Sequence, residues 1–201
     1  AGIEQADAVL IVGSNPRKEA PVLNARILKR WRQGGLQVAL IGEKADLTYP
    51  AQYLGAGPDT LANLGAFGDV LAKAERPLVI VGQGALARAD GLAVLAAASK
   101  LAQRDGWNGL CVLHTAASRV GGLDIGFTPG EGGLDAAGMA QSGALAVLFN
   151  LGADEIHIAA GAFVVYQGSH GDKGAHRADV ILPGAAYTEK SGTYVNTEGR
   201  V

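Results

Sequence analysis

Cysteine is nearly absent from this sequence, and its scarcity excludes several kinds of site. The chain has one cysteine, Cys111, among 201 residues. A single cysteine can neither ligate an iron–sulfur cluster nor supply a zinc site. Because Cys111 stands within an apolar run, we predict a buried thiol with a packing role.

Strong net charge and long apolar runs are also lacking. The formal net charge of −2 argues against a general nucleic-acid binder. No apolar run approaches the roughly 18 residues of a membrane span, and no signal-peptide pattern is present. The only methionine is Met139 and the last residues fall within a polar motif, so we interpret the sequence as a fragment of a longer chain.

Basic residues are concentrated in one short region, between Arg17 and Arg32. The simplest interpretation is the solvated face of a helix. The alternative is a docking face for a partner or for a phosphate-bearing ligand.

The residues that are abundant suit an α/β protein with many tight turns. Hydrophobic residues make up 48% of the chain, aromatic residues only 5%, and glycine occurs 30 times. Short apolar runs alternate with helical patterns, which predicts mainly parallel sheets with helices covering both faces. The predicted strands are residues 9–12, 38–41, 77–81, 110–113, 145–148, 163–166 and 179–182, and the predicted helices are residues 21–33, 59–74 and 89–103.

We predict that the whole chain is part of one α/β domain. A weakly marked division near Glu75 suggests two abutting lobes, residues 1–75 and 76–201. The glycine-rich stretch over residues 121–143 shows poor periodicity, and residues 126–130 predict a turn.

One glycine motif fits a dinucleotide-binding fingerprint. Gly82-Gln-Gly84-Ala-Leu-Ala87 follows a strand and precedes a helix, as the G-x-G-x-x-G/A pattern does. The fingerprint also requires a carboxylate at the end of the next strand, but the sequence there is Leu113-His114-Thr115. A tight strand-to-helix turn is therefore the favoured interpretation, with nucleotide binding as the alternative.

A second candidate lies where the first predicted strand ends, at Gly13, Ser14 and Asn15. Ligands of open α/β sheets bind at the carboxyl ends of strands, and free backbone N–H groups with these side chains could hold a phosphate. The residues taken alone favour an Asx-type turn, in which those side chains satisfy the local backbone.

A glycine- and histidine-rich loop follows the predicted strand at residues 163–166. Its polar residues include His170, Asp172 and His176, but their spacing matches no common metal site. Adjacent Ser169 and His170 are not expected to form the nucleophile–base hydrogen bond of a catalytic triad. The glycines instead predict a loop whose backbone closely approaches another group.

No nucleophile, carboxylate pair or metal site emerges elsewhere in the sequence. The isolated His114 and His157 are predicted to be structural.

The segment from Ala178 to Arg200 is the most informative feature of the chain. A short apolar strand ends at Pro183, which has no N–H for a sheet ladder. The residues that follow are polar and punctuated by glycine, so they cannot be buried without partners for every polar group. We therefore predict a segment that wraps over a ligand or over another part of the protein.

These segments resemble a known family. Residues 6–26 resemble a turn of the molybdopterin oxidoreductase superfamily that lies against a pterin dinucleotide, and residues 178–200 resemble the superfamily's other pterin-proximal segment. One branch, the large iron–sulfur subunit family of respiratory complex I, is indicated by a further set of matches. They are residues 36–49, 123–130, 151–154, 165–172 and 183–190.

The resemblance implies Rossmann-like lobes of the formate dehydrogenase/DMSO reductase type. It implies part of an NADH–quinone oxidoreductase subunit, in electron transport from NADH to quinone, with 2Fe–2S and 4Fe–4S clusters in an N-terminal region outside this fragment. The expected partners are other peripheral-arm subunits, with no nucleic acid and no direct membrane span. The expected location is the cytoplasmic side of the bacterial inner membrane, or the matrix side in a eukaryote.

In that family the domain is taken to be a relic that holds no molybdenum and performs no redox step. The resemblance therefore implies no catalytic residue, no cofactor and no metal in this fragment, and a polar tail that fills a vestigial pterin groove with its own side chains. The candidate positions of that groove are Gly13, Ser14, Asn15, Gly168, His170, Asp172, Glu189, Lys190, Thr193, Asn196 and Glu198. The alternatives are a fragment of a catalytic bis-molybdopterin guanine dinucleotide enzyme such as formate dehydrogenase, and a nucleotide-binding α/β enzyme.

Overall fold

The computed structural model describes residues 2–201, which pack into two compact units, the first ending at Ala116 and the second beginning at Ala117. This boundary lies beyond the division considered near Glu75, because the strand Pro77–Gly82 pairs directly with Ala8–Val12 in one sheet. Across the described residues, no helix combines the length and the apolar character of a membrane span.

A parallel sheet of five strands forms the centre of the first unit. The strands of this unit are β1 (Ala8–Val12), β2 (Gln37–Ile41), β3 (Gln52–Gly55), β4 (Pro77–Gly82), β5 (Gln103–Arg104), β6 (Trp107–Asn108) and β7 (Leu110–Leu113). The order across the sheet is β3-β2-β1-β4-β7, and β5 pairs with β6 as a separate antiparallel ribbon. Every neighbouring pair in the large sheet is parallel, so the predicted fold class is confirmed.

Helices cover both faces of this sheet. They are α1 (Pro16–Glu19), α2 (Pro21–Arg32), α3 (Ala66–Lys73), α4 (Gln83–Leu86) and α5 (Gly91–Ala102), with 3₁₀ turns at Ile3–Gln5 and Pro58–Ala62. Successive residues of a strand point to opposite faces. Leu10 of β1 therefore joins an apolar cluster with Phe67 of α3, while the adjacent Ile11 joins a second cluster with Ile27 of α2.

The predicted helix over residues 59–74 is broken into two pieces, Pro58–Ala62 and α3. The break lies at Gly65, whose φ of +55° is in the left-handed region, and whose N–H is held by the Asn63 side chain at 3.1 Å. Glycine adopts that conformation without a Cβ penalty, so the helical period is interrupted although the leucine spacing continues through it.

The second unit contains a three-stranded sheet with the order β10-β9-β8, again entirely parallel. Its elements are α6 (Ala117–Asp124), α7 (Ala136–Met139), β8 (Val147–Leu151), β9 (Phe163–Gly168), α8 (Lys173–Arg177) and β10 (Val180–Pro183). The glycine-rich stretch over residues 121–143, which showed poor periodicity, contains the end of α6 and all of α7. The buried core is small and centres on Ala140, Ile158 and Val164.

A buried polar cluster ties α2 to the loop that follows β2. The Asn24 side chain donates to the Leu47 carbonyl at 3.0 Å and accepts from the Tyr49 hydroxyl at 2.8 Å. Asn24 and Tyr49 are only 5% and 6% exposed, and burial raises the pKa of the Tyr49 phenol. Each polar atom of this cluster is costly to bury and depends on its partner.

Substitution of Tyr49 by Phe is expected to lower the free energy of unfolding by about 1–2 kcal/mol, because the Asn24 carbonyl oxygen loses its donor inside the protein. The matched control is Tyr53→Phe, since the Tyr53 hydroxyl donates to Gly42 at 3.1 Å but the side chain is 40% exposed. The control should change stability by less than about 0.5 kcal/mol. Chemical denaturation of both variants measures the difference, and equal effects would contradict this assignment.

The ion pair between Glu4 and Arg26 makes a second contribution to the stability of the fold, and this one depends on pH. Arg26 donates from Nε at 2.7 Å and from Nη2 at 2.8 Å to the two oxygens of Glu4, and this bidentate hydrogen bond lowers the pKa of Glu4 to about 2. A lowered carboxyl pKa stabilises the fold above the unfolded-state value and ceases to do so as the pH falls through the folded-state value.

Glu4→Gln should therefore lower the free energy of unfolding near neutral pH. Near pH 2 the variant and the unmodified protein should have the same free energy of unfolding. Because the two side chains are 33% and 44% exposed, the effect is expected to be at most about 1 kcal/mol after solvent screening. The same comparison in concentrated salt should show a smaller difference. Denaturation curves recorded between pH 2 and 7 measure it, and a difference that grows toward low pH would refute the assignment.

Candidate functional site

Three central strands of the first sheet end at one edge, and each ends at or beside a glycine. Gly13 follows β1, Gly42 follows β2, and Gly82 is the last residue of β4. Gly13 and Gly42 have φ values of +60° and +127°, which side chains with a Cβ rarely adopt. The Gly13 N–H donates to the Ile41 carbonyl at 2.8 Å, so the loop after β1 lies directly against the end of β2.

Gly82 is required by the packing of one strand end on another. A Cβ added to Gly82 would overlap the carbonyl oxygen of Gly13 and lie 2.9 Å from the Ser14 Cβ. At Gly84, by contrast, the nearest heavy atom to such a Cβ is 4.0 Å away. The first glycine of the apparent dinucleotide fingerprint therefore has a structural reason to be glycine, which supports the interpretation as a tight strand-to-helix turn.

The polar residues after Gly13 are buried but do not form the Asx-type turn favoured from the sequence. The Asn15 N–H donates instead to the carboxylate of Glu19 at 2.5 Å. The Ser14 hydroxyl oxygen and the Asn15 side-chain oxygen are both buried and have no hydrogen-bond partner. Ser14 is only 8% exposed. These two side chains are therefore not used by the local backbone.

A third buried polar atom of the same kind lies at the end of β7. His114 follows Leu113, which is paired with Gly82 of β4, and its Nδ1 is buried without a partner. Among the side chains of residues 2–201, these three are the buried nitrogen and oxygen atoms that lack a partner. Because such atoms are nearly always satisfied by protein or ordered water, this edge of the sheet is a place for water or a small polar ligand. The sequence assigned His114 only a structural role.

A cavity of about 150 Å³ opens at this edge within the first unit. It is lined by Val12, Gly13, Ile41, Gly42, Ala56, Pro58, Gly84, Ala85, Arg88 and Val94. Its one charged lining residue, Arg88, is bound to Asp90 by hydrogen bonds of 2.7 and 3.1 Å, and this pairing holds the pKa of Asp90 below its usual range. The cavity therefore offers no uncompensated positive charge to a phosphate.

This cavity does not fit a pterin dinucleotide. Pockets for ligands of that size usually measure about 300–1,000 Å³, well above the volume found here. Dinucleotide phosphates are also commonly held by uncompensated cations or by exposed helix N-termini. The helix after Gly82, α4, has only four residues, and the neighbouring guanidinium is already paired.

In the second unit, the loop after β9 is held by its own contacts. The Tyr166 hydroxyl donates to the His170 carbonyl at 3.1 Å, and Gly184 N–H donates to the Gly168 carbonyl at 2.9 Å. The Ser169 Oγ and His170 Nδ1 atoms lie 2.9 Å apart, so the hydrogen bond that adjacent positions were expected to prevent does form. Both residues are exposed, and no carboxylate of the described residues binds the second ring nitrogen, so a triad is not assembled.

The polar tail after β10 forms hydrogen bonds within itself. The Asn196 side-chain oxygen accepts from the N–H groups of Glu198 and Arg200 at 3.0 and 2.9 Å. The Glu189 carboxylate accepts from Ala186 N–H at 3.0 Å, and the Tyr194 hydroxyl donates to the Tyr187 carbonyl at 2.8 Å.

The expected vestigial site is distributed over both units. Gly13, Ser14 and Asn15 belong to the first, whereas the second contains Gly168, His170, Asp172, Glu189, Lys190, Thr193, Asn196 and Glu198. Within the second unit, the tail positions and the loop positions His170 and Asp172 are exposed, apart from the partly buried Gly168. Filling of a groove beside Gly13 by the tail stays a prediction.

Metal-binding chemistry finds little support in the side chains. No three His, Cys, Asp or Glu residues within 2–201 converge on a position that could hold a metal ion. Cys111 of β7 is partly buried, and burial raises the pKa of its thiol. The sequence predicted a buried thiol and the structure finds it partly buried; the raised pKa lowers the fraction of reactive thiolate.

Comparison with known proteins identifies relatives over the whole chain. The family model described as molybdopterin oxidoreductase matches residues 1–201. The chain is 47% identical over 211 residues to an NADH-quinone oxidoreductase subunit, the one designated G, of Rickettsia bellii, covering 100% of this chain and 30% of that protein. It is 46% identical over 212 residues to the mitochondrial NADH-ubiquinone oxidoreductase 78 kDa subunit of Neurospora crassa, and 45% over 211 residues to that of Candida albicans.

Each fungal alignment also covers all of this chain and 28% of the relative. The chain thus spans less than a third of the length of these relatives. The resemblance found in the sequence is confirmed.

Opposite effects are expected from adding one methyl group at two neighbouring glycines. Gly82→Ala should destabilise the fold by about 1–3 kcal/mol, because the Gly13 backbone has no room to move. Gly84→Ala lies in α4 with open space around it and should stabilise by about 0.5–1 kcal/mol. Thermal or chemical unfolding of the two variants measures both changes. Destabilisation at Gly84 as large as at Gly82 would refute the packing argument.

Proposed function

The chain belongs to the molybdopterin oxidoreductase family, and from that premise we propose that it is a structural and docking domain of a complex I subunit. The parent would be the large iron–sulfur subunit of an NADH–quinone oxidoreductase, which passes electrons from NADH toward quinone through iron–sulfur clusters outside residues 1–201. This domain would pack against neighbouring peripheral-arm subunits on the cytoplasmic or matrix side of the membrane, and would carry out no redox step.

The names of the relatives, and the share of their length that the alignment covers, support the proposal that this chain is part of a complex I subunit. Three proteins of bacterial and mitochondrial origin, named as subunits of NADH–quinone or NADH–ubiquinone oxidoreductase, each align with all of this chain at 45–47% identity. Most of each relative lies outside the aligned region, which leaves ample chain for clusters that the single Cys111 could not ligate.

The observation that best supports a role without redox chemistry is the small cavity at the carboxyl edge of the first sheet. Its volume of about 150 Å³ and its paired Arg88 do not suit a pterin dinucleotide. In the second unit, the tail residues that would face such a ligand use Asn196 and Glu189 to bond their own backbone.

One observation favours the alternative, a fragment of a catalytic molybdopterin enzyme. The buried Ser14, Asn15 and His114 atoms have no partners, as would be the case if a ligand normally supplied them. Bound water molecules would satisfy the same atoms and need less space than a ligand, and none of the three residues lines the cavity at this edge.

Metal analysis of the full-length protein, purified from its native source, distinguishes the structural domain from the fragment of a catalytic molybdopterin enzyme. We expect iron in several-fold excess over polypeptide, molybdenum far below one per polypeptide, no pterin fluorescence after oxidation, and copurification with NADH dehydrogenase activity. Cys111→Ala should leave the iron content unchanged, because this thiol is not a cluster ligand. Stoichiometric molybdenum or pterin would overturn the proposal, and so would loss of iron from the variant.

A further inference from the structure

One face of the sheet in the second unit is apolar and largely exposed, apart from Val165 of the central strand, which is 8% exposed. The residues at alternate positions of β8 that point to this face are Val147, Phe149 and Leu151, and they are 51%, 66% and 70% exposed. In the register of the sheet, Val147 pairs with Phe163, and Phe149 pairs with Val165, which pairs with Val180. Leu182 of β10 extends the same face.

The opposite face of this sheet is covered over β8 and β9, whereas Ile181 of β10 on that face is 59% exposed. Leu148 and Val164, which point the other way, pack with Ile158 from the connection between β8 and β9. On the same side, Gly174 of α8, in the connection between β9 and β10, lies against the Tyr166 ring. Both crossovers of the sheet therefore run on one side.

That arrangement follows from the handedness of parallel connections. Crossovers between parallel strands are almost always right-handed, so two successive steps in the same direction, from β8 to β9 and from β9 to β10, place both connections on one face. Among connections of this sheet, one that runs to the far side of β8 would cover the other face. Sheets that are wholly parallel normally have both faces covered in this way.

We propose that a helix from the remainder of the same, longer polypeptide packs on this apolar face, and that its connected strand pairs with the free edge of β8. The proposal rests on the proposed function, under which residues 1–201 are part of a larger subunit. The relatives support this occupant, since the aligned region is 28–30% of their length and most of each chain is left to supply it.

The chemistry of the face favours this occupant over a transient partner. Residues from three adjacent strands contribute aliphatic and aromatic side chains, and among the paired positions on this face only Gln167 of β9 is polar. Surfaces of transient partners are usually mixed with polar groups, whereas permanent contacts resemble a domain core. The continuous apolar character thus matches the interior of a doubly covered parallel sheet.

Hydroxyl-radical footprinting of the isolated full-length subunit tests the proposal. We expect Phe149 and Phe163 to be protected from oxidation to the same degree as the buried Tyr166, which is 2% exposed. Oxidation of the two phenylalanines at the rate of a free side chain would overturn it. Protection found only in the assembled complex would assign the face to another subunit, and protection lost on dilution would assign it to a second copy. Either result overturns the proposal.

A pair of leucine variants provides an independent measurement. Leu151→Ser should lower the Tm of the isolated full-length subunit, because it places a hydroxyl against the covering helix. The control is Leu92→Ser on α5, where the parent side chain is 85% exposed, and it should leave the Tm unchanged. An unchanged Tm for Leu151→Ser would overturn the proposal. The proposed function is tested by molybdenum content and copurification, which do not depend on footprinting or on Tm. Failure of the proposed function can therefore be told apart from failure of this inference.

Discussion

The first unit depends on β1, the middle strand of its five-stranded sheet. All five of its residues are buried, and it bonds in parallel to β2 on one edge and to β4 on the other. Parallel strands must end at one edge, so the loops that leave them compete for the same space. Glycine at positions 13, 42 and 82 lets those loops pass in contact, and the cavity at this edge is small as a consequence.

The central strands of the first sheet could be predicted from the sequence, because a strand that is buried on both faces of a parallel sheet consists of a short run of apolar residues. Such a run marks each of β1, β2, β4 and β7, whereas the order of these strands across the sheet is not written in the runs. In contrast, β3 is an edge strand with exposed or partly exposed residues, and α6 and α7 contain no buried residue. Because the edge strand β3 and the helices α6 and α7 bury little apolar surface, they do not require a regular spacing of hydrophobic residues. The sequence therefore shows no such spacing there.

For the candidate site, the location could be predicted from the sequence, but the hydrogen-bond partners of its residues could not. Its position at Gly13, Ser14 and Asn15 follows from topology alone, since it is the end of the first strand. The Asn15 N–H is bound by the Glu19 carboxylate four residues later, a partner that the local sequence permits but does not require. The isolation of His114 Nδ1 depends on the register of β7 against β4, which no local pattern specifies.

The same packing explains why a chain would keep the glycines of such a site whether or not it binds a ligand. The turn after β1, which contains Gly13, resembles one that lies against a pterin dinucleotide, and Gly82 begins the apparent dinucleotide fingerprint. Yet Gly82 must be glycine because of the Gly13 carbonyl, and a Cβ on Gly13 would lie 2.6 Å from that of Ala85. Selection for a stable sheet therefore preserves both residues whether or not anything binds. Ser14 and Asn15 carry no such requirement from the backbone, so they are the positions where the loss of a ligand would first permit change.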